Sequence, residues 1–240
     1  MQKIILSLCL GFMLIATGSQ AQNLVYDANA QVRKVSDFNG VSVGSGIKLY
    51  LSQGKEQAVA VSAADAGYIE RIITEVKDGV LKIRVESKMW NNWNWGNKKL
   101  KAYVTVTNLN FLGASGGSIA ELVDEISVNK LQCDVSGGSI LKGKLKGASL
   151  NADLSGGSIA TLEGSFDNAS IEASGGSIFK GYDLSVGSCS VDASGGSIIN
   201  ISINKELKAE ASGGSIITYK GPGVITSVDA SGGSSIKKKD

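Results

Sequence analysis

The sequence predicts an all-β protein whose C-terminal half is a single-stranded parallel β-helix, or β-solenoid, with coils of about 19 residues. Three observations lead to this fold class. The motif Ser-Gly-Gly-Ser occurs seven times, apolar and polar residues alternate before each copy, and 31 glycines stand against one proline. The glycines have no three-residue period and 42% of the residues are hydrophobic, which excludes collagen and argues against disorder.

Residues 1–21 have the features of a secretory signal peptide. Lys3 precedes an apolar run from Ile4 to Ala16, and small residues end the segment at Ala21. The run of about 13 residues is shorter than the roughly 20 needed to span a bilayer. Cys9 lies inside this run, which argues against a lipoprotein. We therefore expect export, to the periplasm, the outer surface or the medium, with no transmembrane segment after cleavage.

Residues 36–110 read as a β part without the motif. Alternation with period two predicts strands, a Lys-Asp-Gly sequence predicts a turn between two of them, and one segment allows a short helical turn. The strands are predicted at Val41–Leu51, Gln57–Ser62, Ile72–Val76, Val80–Val85 and Lys101–Thr107, the turn at Lys77–Gly79, and the helical turn at 64–71.

Residues 111–236 carry the repeat. The copies begin at Ser115, Ser136, Ser155, Ser174, Ser194, Ser212 and Ser231, and the first six continue directly into isoleucine. The positions one and three residues before each motif are apolar, whereas the position two before is acidic in six copies. This alternation is typical of a half-buried strand. Stacked coils would bury the apolar columns, and the Gly-Gly pair would form a corner because glycine adopts positive φ at no steric cost.

Other repeat folds fit less well. Calcium-binding rolls repeat every nine residues or so, a propeller blade needs about 40, and a strand–helix unit about 30 or more. The Leu-x-x-Leu-x-Leu frame of a leucine-rich repeat is absent. Because nothing resembles a linker, residues 36–236 are expected to form one domain.

Several segments resemble one known family. Phe38–Val43, Gly46–Gly54 and Asp78–Ile83, with the Ala-Ser-Gly-Gly-Ser repeats after them, resemble the auto-transporter adhesin family with a head GIN domain. The resemblance spans residues 36–236. It implies a right-handed β-helix in an exported bacterial protein and brings no catalytic residues with it.

The first candidate site is the acidic column. Its members are Asp134, Asp153, Glu172, Asp192, Glu210 and Asp229. Such a ladder could recruit a cation such as Ca²⁺ or a basic partner. The alternative, which we favour, is a solvated face that nearby lysines neutralise. No metal site and no cofactor is assigned.

The second candidate site holds all three tryptophans. Trp90, Trp93 and Trp95 lie in one stretch rich in asparagine and glycine. Exposed rings could stack on sugars or anchor a protein partner, and the alternative is that they cover the end of the solenoid. The corner serines are a third candidate, although serine at a tight turn usually hydrogen-bonds the backbone.

Composition restricts the function. Histidine is absent, so no Ser-His pair can form, and an enzyme is not expected. Near balance of charge, 24 Lys+Arg against 22 Asp+Glu, gives no indication of nucleic acid. Cys133 and Cys189 fall three coils apart and are expected to be buried and free. The terminal edge near Lys237–Lys239 could repel or pair with another copy, so homo-oligomerisation stays open.

We therefore expect an exported, non-enzymatic binding or adhesive scaffold at the cell envelope, with an envelope glycan or a surface protein as its partner. A structural envelope protein without a dedicated ligand is the alternative. A polysaccharide-active β-helix enzyme is a distant third.

Overall fold

The computed structural model describes residues 27–86 and 98–239, so the predicted signal peptide lies outside the described residues. Within these described residues, seventeen strands form one continuous sheet, with one short helix, α1 (Ala66–Ile69). The strands are β1 (Gln31–Val32), β2 (Gly40–Val43), β3 (Lys48–Gln53), β4 (Ala58–Ser62), β5 (Ile72–Lys77), β6 (Val80–Val85), β7 (Lys101–Val106), β8 (Phe111–Ala114), β9 (Ile119–Leu122), β10 (Ile126–Val135), β11 (Ile140–Leu154), β12 (Ile159–Ala173), β13 (Ile178–Ala193), β14 (Ile198–Ala211), β15 (Ile216–Lys220), β16 (Val224–Ala230) and β17 (Ser235–Lys238). Among these residues no helix is long and apolar enough to cross a membrane.

From β8 onwards the chain winds as a regular β-solenoid. Each coil pairs in parallel with the coil before it and the coil after it, as β11 does with β10 and β12. Strands β12 to β14 continue the same pattern, with register shifts confined to the side away from the Gly-Gly corners. The predicted fold class, with coils of about 19 residues, is confirmed.

The N-terminal coils stack in a different order from their order in the sequence. Strands β2 and β3 lie between β6 and β7 on one side and β8 and β9 on the other, with parallel pairing throughout. Below them the pairing becomes antiparallel, β4 with β7, β5 with β6, and β1 with β4. The first end of the solenoid is therefore closed by antiparallel strands and by α1.

The predicted local features of this part are largely present. A hairpin turn joins β5 to β6, with positive φ at Asp78 (54°) and Gly79 (74°). The helical turn is α1, whose first amides are capped by the Asp65 carboxylate. The prediction of one strand from Val41 to Leu51 was wrong, because the chain turns a corner between β2 and β3.

This unpredicted corner continues the stack of Gly-Gly corners. Ser45 and Gly46 have φ of 62° and 72°, close to the 60° and 74° of Gly116 and Gly117. The Gly46 amide donates to the Gly116 carbonyl at 3.0 Å, the same bond that Gly117 donates to Gly137 one coil higher. Ser45 is therefore a non-glycine residue with positive φ, and its corner is the lowest among the described residues.

The two glycines of a corner meet different constraints. Both have positive φ, for example 62° at Gly156 and 73° at Gly157. A Cβ added to Gly156 would lie 3.2 Å from the Gly137 amide nitrogen, whereas one added to Gly157 would have nothing within 4 Å. The first glycine is therefore needed for close stacking as well as for backbone conformation, and the second for conformation alone.

The interior is filled by the apolar columns that precede each corner. Cys133 lies in one such column and pairs in register with Leu112 and Ala152. Both Cys133 and Cys189 are buried and free, as predicted. Burial raises the pKa of both thiols, that of Cys189 to about 12, so neither forms a thiolate at neutral pH.

The last coil leaves apolar side chains uncovered. Val224 and Val228 of β16 are 67% and 49% exposed, although Val228 continues a column that is buried in the coils below. On β17, Lys238 pairs with Tyr219 and so occupies an inward column. A lysine in an inward column opposes addition of another strand, which protects this edge from aggregation.

We expect Gly156→Ala to destabilise the protein more than Gly157→Ala. The second change forces alanine into a left-handed conformation, at a cost of about 1–2 kcal/mol. The first adds a steric clash with the neighbouring corner, for roughly 1–3 kcal/mol more. Urea unfolding followed by circular dichroism measures both. Equal costs would mean that the corners are not stacked this closely.

Candidate functional site

Two flat outward faces flank the Gly-Gly corners, and they differ in chemistry. The acidic face precedes the corner and consists of Asp134, Asp153, Glu172, Asp192, Glu210 and Asp229 with the neighbouring column Gln132, Asn151, Ser170, Ser190, Lys208 and Ser227. The Ile–Lys face follows the corner and consists of Ile119, Ile140, Ile159, Ile178, Ile198 and Ile216 with the neighbouring column Glu121, Lys142, Thr161, Lys180, Asn200, Thr218 and Lys237.

The predicted acidic column is in register over six coils. Each carboxylate residue pairs with the carboxylate residue of the next coil, from Asp134 to Asp229. The Gln132 amide donates to Asp134 at 2.7 Å and to Asp153 at 2.6 Å, and Lys208 lies 2.8 Å from Glu210. These contacts reduce the repulsion between neighbouring carboxylates.

A cation role for this column stays a prediction. Within residues 27–86 and 98–239, no group of three or more carboxylate or thiol side chains is arranged to hold a metal ion. The carboxylates follow one another along a line instead of converging on a point, whereas Ca²⁺ takes six to eight oxygen ligands.

The second serine of each corner points into the solenoid. These serines are fully buried from Ser118 to Ser215. Their hydroxyls hydrogen-bond with the backbone. The Ser139 hydroxyl accepts from the Ser118 amide, and the others donate to carbonyls, as that of Ser197 does to Ala173 at 2.7 Å. The predicted backbone role is therefore confirmed for these hydroxyls. The sequence did not reveal that serine would face inward and the following isoleucine outward.

A cluster that the sequence did not indicate ties the start of the described chain to the sheet. Asp27 accepts a hydrogen bond from Lys101 at 2.9 Å and another from Tyr103 at 2.8 Å. Burial favours the protonated carboxyl, but these hydrogen bonds outweigh it and lower the pKa of Asp27 to about 2. Burial and the bond to Asp27 raise the pKa of Tyr103 to about 12. The cluster holds the N-terminal segment in place.

Tyr103 also belongs to a short aromatic and cationic row beside the cluster. Its ring stacks on Tyr50, with the centroids 5.3 Å apart. Lys48 lies over the Tyr50 ring at 4.6 Å and pairs with Glu121 at 2.8 Å. The lower end of the Ile–Lys face is therefore charge-neutral and internally bonded.

A polar cleft of about 610 Å³ lies at another edge of the N-terminal coils. It is lined by Asp37, Phe38, Asn39, Lys55, Glu56, Gln57, Gly79, Thr107 and Asn108. Gln57 accepts from the Phe38 amide and donates to the Phe38 carbonyl, so it braces the cleft. The charged residues of its lining are Asp37, Lys55 and Glu56.

Trp90, Trp93 and Trp95 lie outside the described residues, and their predicted binding role stays a prediction. The described residues on either side of this segment are hydrogen-bonded to the N-terminal part of the chain. The Glu86 amide donates to the Arg71 carbonyl at 3.1 Å, and the Ala64 amide donates to the Lys98 carbonyl at 2.8 Å.

Comparison with known families identifies one match. The model of the family described as "Putative auto-transporter adhesin, head GIN domain" matches residues 37–223, which agrees with the resemblance seen in the sequence. No curated protein matches the chain.

Three solved structures share the fold. A putative adhesin from Bacteroides fragilis has a TM-score of 0.81 at 21% identity and covers 88% of this chain and 96% of its own. A putative adhesin from Parabacteroides merdae has a TM-score of 0.67 at 17% identity, covering 88% and 95%. A structure named as a putative lipid binding protein from Parabacteroides distasonis has a TM-score of 0.66 at 25% identity, and the match covers 88% of this chain and 97% of its own.

Asp27→Asn should remove a pH-dependent part of the stability. The lowered pKa of Asp27 stabilises the folded state fully above about pH 4, the range of an unfolded carboxyl, and this contribution disappears as the pH falls towards 2. The variant should be about 1–2 kcal/mol less stable than the wild type at neutral pH. Urea unfolding at a series of pH values measures the difference, which should shrink below pH 4. A difference that stays constant into strong acid would contradict the assignment.

Proposed function

The chain belongs to the auto-transporter adhesin family with a head GIN domain, and from this premise we propose that it is an exported, non-enzymatic binding protein of the cell envelope. Its partner is an envelope glycan or a surface protein held along the acidic face. The observation that carries this proposal is the regularity of that face, which presents carboxylate, amide and hydroxyl groups in register over six coils.

The chemistry of the acidic face suits an extended polar partner. Its two columns repeat at about 4.8 Å from coil to coil, so a partner that lies along the solenoid meets the same groups at every step. Carboxylates accept hydrogen bonds from sugar hydroxyls or from basic side chains, and Gln132 and Asn151 can both donate and accept. Many weak contacts of one kind favour adhesion along a surface over tight capture of a small molecule.

The inner corner serines and the two thiols are poorly placed to act as nucleophiles, which supports a binding role. Each of the seven inner corner hydroxyls, from Ser118 to Ser234, forms a hydrogen bond with a backbone group. The two thiols are buried with raised pKa values, and the sequence contains no histidine. A serine or cysteine nucleophile needs an activating base or a lowered pKa.

Neutralising the centre of the acidic face should weaken partner binding roughly tenfold or more, because hydrogen bonds to charged groups are worth about 1.5–3 kcal/mol each. The test variant is Asp153→Asn/Glu172→Gln/Asp192→Asn. The matched control, Glu163→Gln/Asp167→Asn/Asp183→Asn, removes three exposed carboxylates outside this face. Glycan arrays and pulldowns from envelope extracts supply the partner, and titration gives the affinity. An equal loss in both variants would assign the effect to net charge and contradict the proposal.

Tryptophan fluorescence tests the second predicted anchor. All three tryptophans lie between residues 90 and 95, so the emission of the mature protein reports that segment alone. We expect a red emission maximum, strong quenching by a soluble quencher, and weaker partner binding by Trp93→Ala. A blue maximum shielded from the quencher would place the rings in an apolar contact and favour a structural envelope protein without a dedicated ligand.

A further inference from the structure

The Ile–Lys face combines an apolar column with an unbalanced positive charge. From β11 upwards its outward positions contain Lys142, Lys180 and Lys237 and no carboxylate residue. Among the salt bridges of the described residues, none involves these three lysines. The face therefore carries three lysines that form no salt bridge among the described residues, with Glu121 beside Lys142 at its lower end as the one carboxylate residue of the neighbouring column.

The isoleucine column beside these lysines is continuous. Six isoleucines pair in register on successive coils, which gives a straight stripe roughly 24 Å long at about 4.8 Å per coil. Ile216 is 42% exposed, and the other five are partly covered by their neighbours above and below. Scattered surface isoleucines need no explanation, but a contiguous apolar stripe is typical of an interaction surface.

We propose that the Ile–Lys face docks on an anionic phospholipid surface. The isoleucines contact the boundary between headgroups and acyl chains, and Lys142, Lys180 and Lys237 extend alongside them to the headgroup phosphates. Lysine suits this position because its aliphatic stem packs on apolar surface while its ammonium group stays in the polar layer. This inference goes beyond the proposed function, since it concerns a different face and a different partner.

The opposite sign of the two faces would orient the molecule. The acidic face lies across the Gly-Gly corner from the isoleucines and carries six carboxylate residues. An anionic surface attracts the Ile–Lys face and repels the acidic face over about one Debye length, which is roughly 8–10 Å. Docking by the isoleucines therefore leaves the acidic face directed away from the lipid.

A second copy of the chain fits the Ile–Lys face less well than lipid does. Two such faces placed together would bring their lysines close to one another. From β11 upwards the described column contains no carboxylate residue that could balance these charges. The acidic face of another copy would balance the lysines, but it presents Ser170, Asn151 and carboxylates opposite the isoleucines. Burial of isoleucine against such groups leaves polar atoms without partners, which costs free energy.

Flotation or sedimentation with lipid vesicles tests the proposal on the mature chain. The probes are vesicles of phosphatidylcholine alone and of phosphatidylcholine mixed with phosphatidylglycerol. We expect binding to the mixed vesicles only, weakened by added salt. Lys142→Glu/Lys180→Glu should reduce the affinity roughly 20-fold or more, at about fivefold for each lysine near the surface. The matched control, Lys130→Glu/Lys205→Glu, reverses two exposed lysines outside this face and should bind nearly as well as the wild type.

A second variant separates lipid contact from simple ion exchange. Ile159→Thr/Ile178→Thr keeps β-branched residues in the strands, so the fold is retained and circular dichroism checks this. It should weaken vesicle binding roughly tenfold while leaving binding to dextran sulfate unchanged. An unchanged affinity for vesicles would overturn the role of the isoleucines.

Three further outcomes would overturn the proposal. They are failure of the wild type to bind the mixed vesicles, equal loss in the two lysine variants, and wild-type self-association that the isoleucine variant abolishes, which would assign the face to a second copy. Partner binding measured with the acidic-face variants is independent of these results. Failure of lipid docking is therefore distinguishable from failure of the proposed function.

Discussion

The structure depends on the stacking of one Gly-Gly corner on the next. Each corner places two residues at positive φ, and the corners from Gly46 to Gly176 each donate an amide–carbonyl hydrogen bond of 3.0 Å to the corner above, as Gly138 does to Gly156. These bonds align the start of each coil with the start of the next. Because side chains alternate along a strand, a slip of one residue would exchange the inward and outward columns. The corners therefore set the register on which both the core and the faces rest.

Fixed register has an energetic consequence for the outward columns. When coils repeat in sequence, like residues are stacked on like, and neighbouring carboxylates at about 5 Å repel by roughly 1 kcal/mol in a water-like dielectric. The bridging amide of Gln132 and the ammonium group of Lys208 offset part of this repulsion. An isoleucine column has the opposite character, since cross-strand β-branched pairs stabilise a sheet. The acidic column thus lowers the stability of the solenoid, whereas the isoleucine column raises it. This difference is consistent with a functional reason for the carboxylates.

The sequence predicted the repeating architecture but missed the direction of the corner serines and the arrangement of the N-terminal coils. Seven identical motifs with alternating residues were enough to predict the solenoid, the inward apolar columns and the acidic ladder. The corner at Ser45 and Gly46 was missed because serine, and not glycine, stands at its first position. The inward serines were missed because hydropathy places isoleucine inside, whereas the corner carbonyls need a buried donor. The stacking of β2 and β3 above β6 and β7, and the link from Asp27 to Lys101, join residues far apart in sequence, so no local pattern could indicate them.

The two ends of the solenoid differ from its sides in how readily they can pair with another chain. Antiparallel strands close the first end. At the last end, the inward position of Lys238 and a register shift between β14 and β16 interrupt the regular strand pairing. Both devices oppose addition of a further strand. Lys239 reinforces the last end, since its amide donates to Tyr219 at 2.7 Å and its ammonium group lies 4.4 Å from the Tyr182 ring centroid. With the ends protected in this way, the long regular faces are the surfaces on which association costs least. Because those faces flank one corner with opposite charge, the partner proposed for the acidic face and the lipid surface proposed for the Ile–Lys face would contact different sides of the molecule.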